Sequence, residues 1–147
     1  MSQADAEEIA RWRYPEPYSF YDWTADADDL AELLDSASRK DAYFAAEDAG
    51  GSLVGYFSFK RRSGATLEVG LGLRPERMGQ GLGASFIATG LEFARGRFAP
   101  TRFTLAVATF NERAIKVYER AGFTRGRVYM HATNGGNWEF LEMERRA

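Results

Sequence analysis

Thr66-Leu67-Glu68-Val69-Gly70-Leu71-Gly72-Leu73, followed by Arg74-Pro75-Glu76-Arg77-Met78 and then Gly79-Gln80-Gly81-Leu82-Gly83-Ala84, is the stretch on which the reading of this chain turns. In the first segment Leu67, Val69, Leu71 and Leu73 alternate with Glu68, Gly70, Gly72 and Arg74, the period of a strand with one apolar face. The middle of the other face is nearly bare of side chains. Glycine weakens a strand, so two of them at alternate positions predict a close approach by a ligand or another backbone. After the proline, three alternating glycines predict a tight turn whose backbone N–H groups point outward. Ser85 to Phe93 then reads as a helix ending near Gly96. The start of that helix adds orphan N–H groups and the positive end of a dipole, which together suit a phosphate.

Three readings of this turn compete. It is a plain strand-to-helix connection, a dinucleotide-binding loop, or a loop for the diphosphate of an acyl-coenzyme A. Gly79, Gly81 and Ala84 fit G-x-G-x-x-G/A. A dinucleotide loop should follow its strand directly and have an acidic residue about 20 positions further on. Here Arg74 to Met78 intervene, and the segment from Ala99 to Leu105 contains no Asp or Glu. A Walker loop fits less well still, since no Gly-Lys-Ser/Thr follows.

The whole chain has 147 residues, enough for one domain with its own core. It is 45% hydrophobic and 27% charged, as in ordinary globular proteins. A net charge of −2 gives no general attraction to nucleic acid or a membrane surface, so neither is expected as a partner. Cysteine is absent and His131 is the one histidine, which removes disulfides, thiolate sites, a cysteine nucleophile and multi-histidine metal centres; no metal is expected. No apolar run approaches the ~20 residues of a membrane span, and no leader pattern is seen, so a cytoplasmic protein is expected.

Residues 1–11 read as a polar, partly helical lead-in. Trp12, Tyr14, Tyr18, Phe20, Tyr21 and Trp23 surround Pro15 and Pro17, which predicts a strand or extended segment followed by a loop. Those rings suit an edge packing, a homodimer contact or the wall of a substrate pocket. From Asp26, acids followed by Leu30, Leu33 and Leu34 predict a short amphipathic helix. Asp41 to Glu47 and Ser52 to Arg61 read as a hairpin turning at Asp48-Ala49-Gly50-Gly51, and Arg62-Ser63-Gly64 turns into the central strand. Arg102 to Ala108 is a strand. Asn111 caps a helix with Ala114, Val117, Tyr118 and Ala121 on one face, closed by Gly122. Phe123 to His131 and Trp138 to Leu141 form a second hairpin through Asn134-Gly135. The resulting order is β-α-βββ-α-β-α-ββ.

This order, the Met78 to Ala84 turn and the segment Asn111-Glu112-Arg113-Ala114-Ile115-Lys116-Val117-Tyr118-Glu119-Arg120-Ala121-Gly122-Phe123 resemble the GNAT superfamily of N-acetyltransferases. The turn is similar to the family's Q/R-x-x-G-x-G/A loop, and the second segment to its N-x-x-A-x-x-x-Y-x-x-x-G-F helix. The pairing of the two motifs over residues 40–145 is more specific than either alone. Met78 departs from the family's Gln or Arg, which predicts somewhat weaker cofactor binding unless Arg74 or Arg77 compensates.

The resemblance implies an α/β (α+β) fold with a mixed, mostly antiparallel sheet of six or seven strands flanked by helices. It implies a single acetyltransferase domain over 1–147, with 1–40 on the acceptor side and 41–147 as the acetyl-coenzyme A core. The implied activity is direct acetyl transfer to a primary amine, on a small molecule or a peptide. Leu71, Leu73, Met78, Gly79, Gln80, Gly81, Leu82, Gly83, Ala84 and Asn111 are the implied cofactor-binding positions, with the thioester carbonyl near the Leu71 N–H and the pantetheine arm along Leu73. Tyr118 stands at the general-acid position, and Glu68 is the leading candidate base, ahead of His131, Glu139 and Tyr56. Two rivals remain at this point: a non-catalytic acyl-coenzyme A-binding module in which Glu68 and Tyr118 are structural, and a dinucleotide-dependent oxidoreductase.

Overall fold

A computed structural model describes all 147 residues, Met1–Ala147. The chain forms α1 (Gln3–Ala10), α2 (Ala27–Leu34), α3 (Ser36–Arg39), β1 (Tyr43–Glu47), β2 (Leu53–Arg61), β3 (Thr66–Leu73), α4 (Gly83–Phe98), β4 (Arg102–Ala108), α5 (Glu112–Arg120), β5 (Thr124–Thr133) and β6 (Gly136–Arg146). The six strands make one sheet in the order β1-β2-β3-β4-β6-β5. Six helix-flanked strands agree with the expected fold class. Contacts divide the chain into two compact units, one of Met1–Ser58, Leu71–Met78 and Ala132–Gly136, the other of Phe59–Gly70, Gly79–His131 and Asn137–Ala147.

In the first unit, α1 starts with a reciprocal capping box between Ser2 and Asp5. Its buried Ala6 and Ile9 join Trp12, Leu33, Tyr43 and Leu53 in a core against which Trp23 and Tyr56 pack. β1 and β2 pair antiparallel, Tyr43 opposite Ser58 and Phe44 opposite Phe57. The expected extended strand in the aromatic segment does not form. Tyr18–Tyr21 and Trp23–Ala25 are 3-10 turns instead. The Tyr18 N–H bonds the Pro15 carbonyl at 2.8 Å, and the Asp22 carboxylate takes the Tyr14 N–H at 2.9 Å. These bonds satisfy the backbone locally, so no ladder partner is needed.

Asp26 ties this segment down. Its Oδ1 caps α2 by accepting the Asp28 and Asp29 N–H groups at 3.0 and 3.1 Å, and its Oδ2 accepts the Asn134 N–H at 3.3 Å and the Thr133 hydroxyl at 3.2 Å. These donors, the Asp29 and Asn134 backbone N–H groups foremost, hold its carboxyl below the usual range. Arg39 is buried beneath α1 and α2, donating to the Leu33 carbonyl at 2.8 Å and to Gln3 Oε1 at 2.7 Å.

In the second unit, Leu67, Val69, Ile87, Leu91, Phe103, Leu105, Val107, Ile115, Phe123, Leu141 and Met143 are buried. β4 and β6 pair antiparallel along their length, from Arg102 opposite Arg146 to Ala108 opposite Phe140. β3 and β4 pair in parallel only from Thr66 opposite Arg102 to Glu68 opposite Thr104. Both strands run on past that ladder, β3 to Leu73 and β4 to Ala108. Helix α4 extends beyond the expected end near Gly96 and stops at Phe98, where Ala99 adopts a left-handed conformation and its N–H closes on the Arg95 carbonyl at 3.1 Å. Gly96 is not among the glycines with a positive φ, so the helix runs on through it.

Candidate active site

The glycine turn of the second unit has the predicted geometry. Gly79 and Gly81 have φ of 71° and 73°, a region closed to most side-chain-bearing residues. Gly79, Gln80, Gly81 and Ala84 are exposed, and Leu82 and Gly83 half-buried. The turn delivers α4, whose N-cap Leu82 gives no side-chain hydrogen bond. By contrast α1, α2, α3 and α5 are capped by Ser2, Asp26, Asp35 and Asn111. The first bond of α4 runs from the Phe86 N–H to the Leu82 carbonyl at 2.9 Å, so the N–H groups of Gly83, Ala84 and Ser85 precede the ladder. Sixteen aligned peptides then put the positive end of the dipole at this turn.

Helix α5 closes over this helix start. A Cβ on Gly83 would stand 3.3 Å from both Val117 Cγ atoms, and one on Gly79 would stand 3.8 Å from Arg113 Nη1. Positions 113 and 117 share one helix face, so that face covers the turn. Asn111 is the N-cap of α5, its Oδ1 accepting the Ala114 N–H at 3.2 Å. Tyr118, next to Val117, is half-buried, and its ring meets Phe123 edge-on at 6.2 Å. The Phe123 N–H reaches back to the Tyr118 carbonyl at 3.0 Å beyond Gly122, which closes the helix as the motif predicted.

Glu68 lies on the β3 face opposite the buried Leu67 and Val69. Its Oε2 is 2.5 Å from Arg62 Nη2, with the two side chains 35% and 48% exposed. The carboxylate is thus charge-compensated and open to water. Tyr129 is also within electrostatic reach of Glu68. Burial first, then Glu142 and Glu68, push its phenol up. Of the weaker base candidates, Glu139 accepts the Thr109 hydroxyl at 2.9 Å, and His131 packs its ring edge-on against Phe140 at 5.4 Å.

In the first unit, Leu73 offers its carbonyl to the Tyr14 hydroxyl at 2.7 Å. The bareness of Gly72 has a protein cause. A Cβ there would meet the Tyr56 ring, 2.5 Å from Cε1, 2.8 Å from Cζ and 2.9 Å from the hydroxyl oxygen. At Gly72 the predicted close approach is therefore made by a phenol from β2. Trp12 and Trp23 flank the Tyr56 ring at 6.4 and 5.6 Å, and burial pushes its hydroxyl pKa up. Beside them the Tyr43 hydroxyl donates to Glu32 at 3.0 Å.

The two arginines expected to offset Met78 have other partners. Arg74 pairs with Glu8 and donates to the Leu53 carbonyl at 2.7 Å, lying over the Trp12 ring, while Arg77 pairs with Asp48 at 3.1 Å. Sequence reasoning passed over Arg113, the cation next to Gly79, and Tyr14, the partner of Leu73. Arg113 carried a signal: a cation in the first turn of a helix opposes the dipole. No group of three or more His, Cys, Asp or Glu side chains is placed to hold a metal ion. No helix is long and apolar enough to cross a membrane.

A family model described as the acetyltransferase (GNAT) domain matches residues 1–124. The mycothiol acetyltransferase of Stackebrandtia nassauensis is 33% identical over 107 residues, covering 70% of this chain and 35% of that protein. That of Streptomyces bingchenggensis is 42% identical over 88 residues, covering 57% and 27%. The chain thus spans about a third of the length of these relatives. Among solved structures, spermidine N-acetyltransferase from Vibrio cholerae in complex with CoA and spermine superposes with a TM-score of 0.73 at 23% identity, covering 99% of this chain and 92% of that one. A K23-Q34 chimera of Vibrio cholerae SpeG and hSSAT gives 0.77 at 22%, with the same coverage. At these identities the superpositions speak to the fold.

Proposed function

Because the chain belongs to the GNAT acetyltransferase family, we propose that it moves an acetyl group from acetyl-coenzyme A directly to a primary amine. The observation that carries this reading is the exposed turn at Gly79 and Gly81, set before the helix start that lacks a side-chain cap. Backbone N–H groups of Gly79 to Ala84 would hold the diphosphate, and the wide φ region of the two glycines supports that role. Neighbours named as spermidine N-acetyltransferases, one of them holding CoA and spermine, support coenzyme A as carrier and an amine as acceptor. Residues 1–40 are assigned to the acceptor side and 41–147 to the acetyl-coenzyme A core.

In this reading the Leu71 N–H polarises the thioester carbonyl, and Leu73 and Asn111 guide the pantetheine arm. A preorganised backbone donor of this kind is worth on the order of 3 kcal/mol. The amine nitrogen forms the new bond to the acetyl carbon, and the carbon–sulfur bond breaks. Glu68, directly or through water, takes the proton that the nitrogen loses. Tyr118 gives its proton to the departing thiolate. The Arg62 contact favours a second reading of Glu68 alone, as a structural carboxylate.

The test is the release of free thiol from acetyl-coenzyme A across a panel of primary amines. Tyr118→Phe should lower kcat by about 100-fold or more while leaving the affinity for acetyl-coenzyme A near the parent value. Glu68→Gln should remove the acidic limb of the pH–rate profile if Glu68 is the base, and leave the profile unchanged if it is structural. Unchanged kcat in Tyr118→Phe would rule out its role as the acid.

A further inference from the structure

We propose that the outer edge of β5 is the interface of a two-fold homodimer, in which β5 of one chain pairs antiparallel with β5 of a second copy. β5 is the last strand in the sheet order and is ten residues long. No turn, loop or cap bond of the backbone reaches residues 124–131, so the outer side of the strand presents a row of unpaired N–H and C=O groups. Such edges are ordinarily kept short, or blunted by prolines, lysines, other charges or bulges. The strand at the other end of the order follows that rule. β1 has five residues, a register shift between Ala46 and Glu47, and an exposed acid at its end. β5 contains no Pro, Lys, Asp or Glu. Its two arginines are engaged within the chain, Arg125 with Glu119 at 3.3 Å and Arg127 over the Tyr129 ring at 4.6 Å. In mid-strand it carries Val128 at 55% and Met130 at 62% exposure.

The strand's own sequence identifies the occupant as a second copy. Alternation puts Val128 and Met130 on one face and Arg127, Tyr129 and His131 on the other. A two-fold axis at Tyr129 sets Val128 opposite Met130 of the second copy, twice over, so both exposed side chains gain apolar partners. On the other face Tyr129 meets its own symmetry mate, an aromatic pair, and Arg127 faces His131. No arginine then stands opposite another arginine. An axis at Arg127 would oppose two arginines and set Val128 against Gly126, and an axis at Val128 would set Met130 against Gly126. The contact about Tyr129 also closes at two chains, which a pairing of β5 with β1 of the next chain need not do.

The experiment is sedimentation equilibrium of the full chain, from micromolar to sub-millimolar concentration. It compares the parent, Val128→Lys, Met130→Glu, the double variant Val128→Lys/Met130→Glu, and Ala88→Lys. Positions 128 and 130 are exposed, so each variant keeps its core, which a thermal melt checks. The parent should dimerise. Each single variant should weaken the dimer by about tenfold or more, because symmetry counts every substitution twice and sets a charge against an apolar side chain. The double variant should recover association, because this register then sets opposite charges across the axis on both sides. Ala88→Lys adds a lysine at an exposed position of α4 and should match the parent. A parent that stays monomeric at sub-millimolar concentration, or dimers that survive both single variants, would overturn the inference. Loss in the single variants without recovery in the double variant would overturn the pairing about Tyr129. Species that grow beyond the dimer would point to head-to-tail pairing of β5 with β1 and overturn the two-fold contact.

Discussion

Replacing Gly72 by alanine tests how β3 is built. The added Cβ would sit 2.5, 2.8 and 2.9 Å from Tyr56 Cε1, Cζ and hydroxyl oxygen, all well inside contact distance. The ring cannot swing away freely, because Trp12 and Trp23 flank it at 6.4 and 5.6 Å. Forcing a group into such packing typically costs about 1–3 kcal/mol. Alanine recovers about 0.4–1 kcal/mol by restricting the unfolded chain, if its backbone angles suit. The net expectation is a loss of about 1–2 kcal/mol, which lowers Tm by roughly 2–8 °C in a chain of this size. Urea unfolding measures it, with Tyr56→Ala as the second arm of a double-mutant cycle. Without the Tyr56 ring, Gly72→Ala should be neutral or slightly stabilising. If Gly72→Ala cost the same with and without that ring, the clash would not be the cause and the reasoning would fail.

Two further expectations follow from the first unit. Asp26 has a depressed folded-state pKa, so its contribution is present above the ordinary carboxylate range and is lost as pH falls through the folded value. The Tm difference between the parent protein and Asp26→Asn should therefore shrink from about pH 5 downward, and a constant difference would contradict the cause assigned. Arg39→Met removes two bonds made by a buried guanidinium to the Leu33 carbonyl and Gln3, and should cost about 2–3 kcal/mol in urea unfolding. Gln3→Ala should cost about 1 kcal/mol, and a cost within 0.5 kcal/mol for Arg39→Met would show these bonds to be dispensable.

Much of this molecule could be read from its sequence because its signals are local. The alternation of Leu67 and Val69 with Glu68 set the β3 face, and Asn111 with Gly122 bracketed α5, each through bonds made within a few residues. The glycine turn carries its own backbone requirement, so Gly79 and Gly81 announced their positive φ. Tertiary partners were hidden. Nothing near Gly72 names Tyr56, and nothing near Asp26 names Thr133 and Asn134, over 100 residues away. In the aromatic segment Pro15 and Pro17 exclude helix, which by itself predicts an extended conformation. Side-chain bonds such as Asp22 to Tyr14 were what selected 3-10 turns in its place. Arg113 was missed because the motif leaves its position open, and only the fold of α5 over the turn brings it to Gly79.

The central claim is that the turn at Gly79 to Ala84 is a coenzyme A site. Calorimetric titration of the purified, folded protein with acetyl-coenzyme A, using NAD as the control, tests it most directly. The account predicts one saturable site of micromolar affinity for acetyl-coenzyme A and no heat with NAD. Absence of acetyl-coenzyme A binding at millimolar concentration would contradict it.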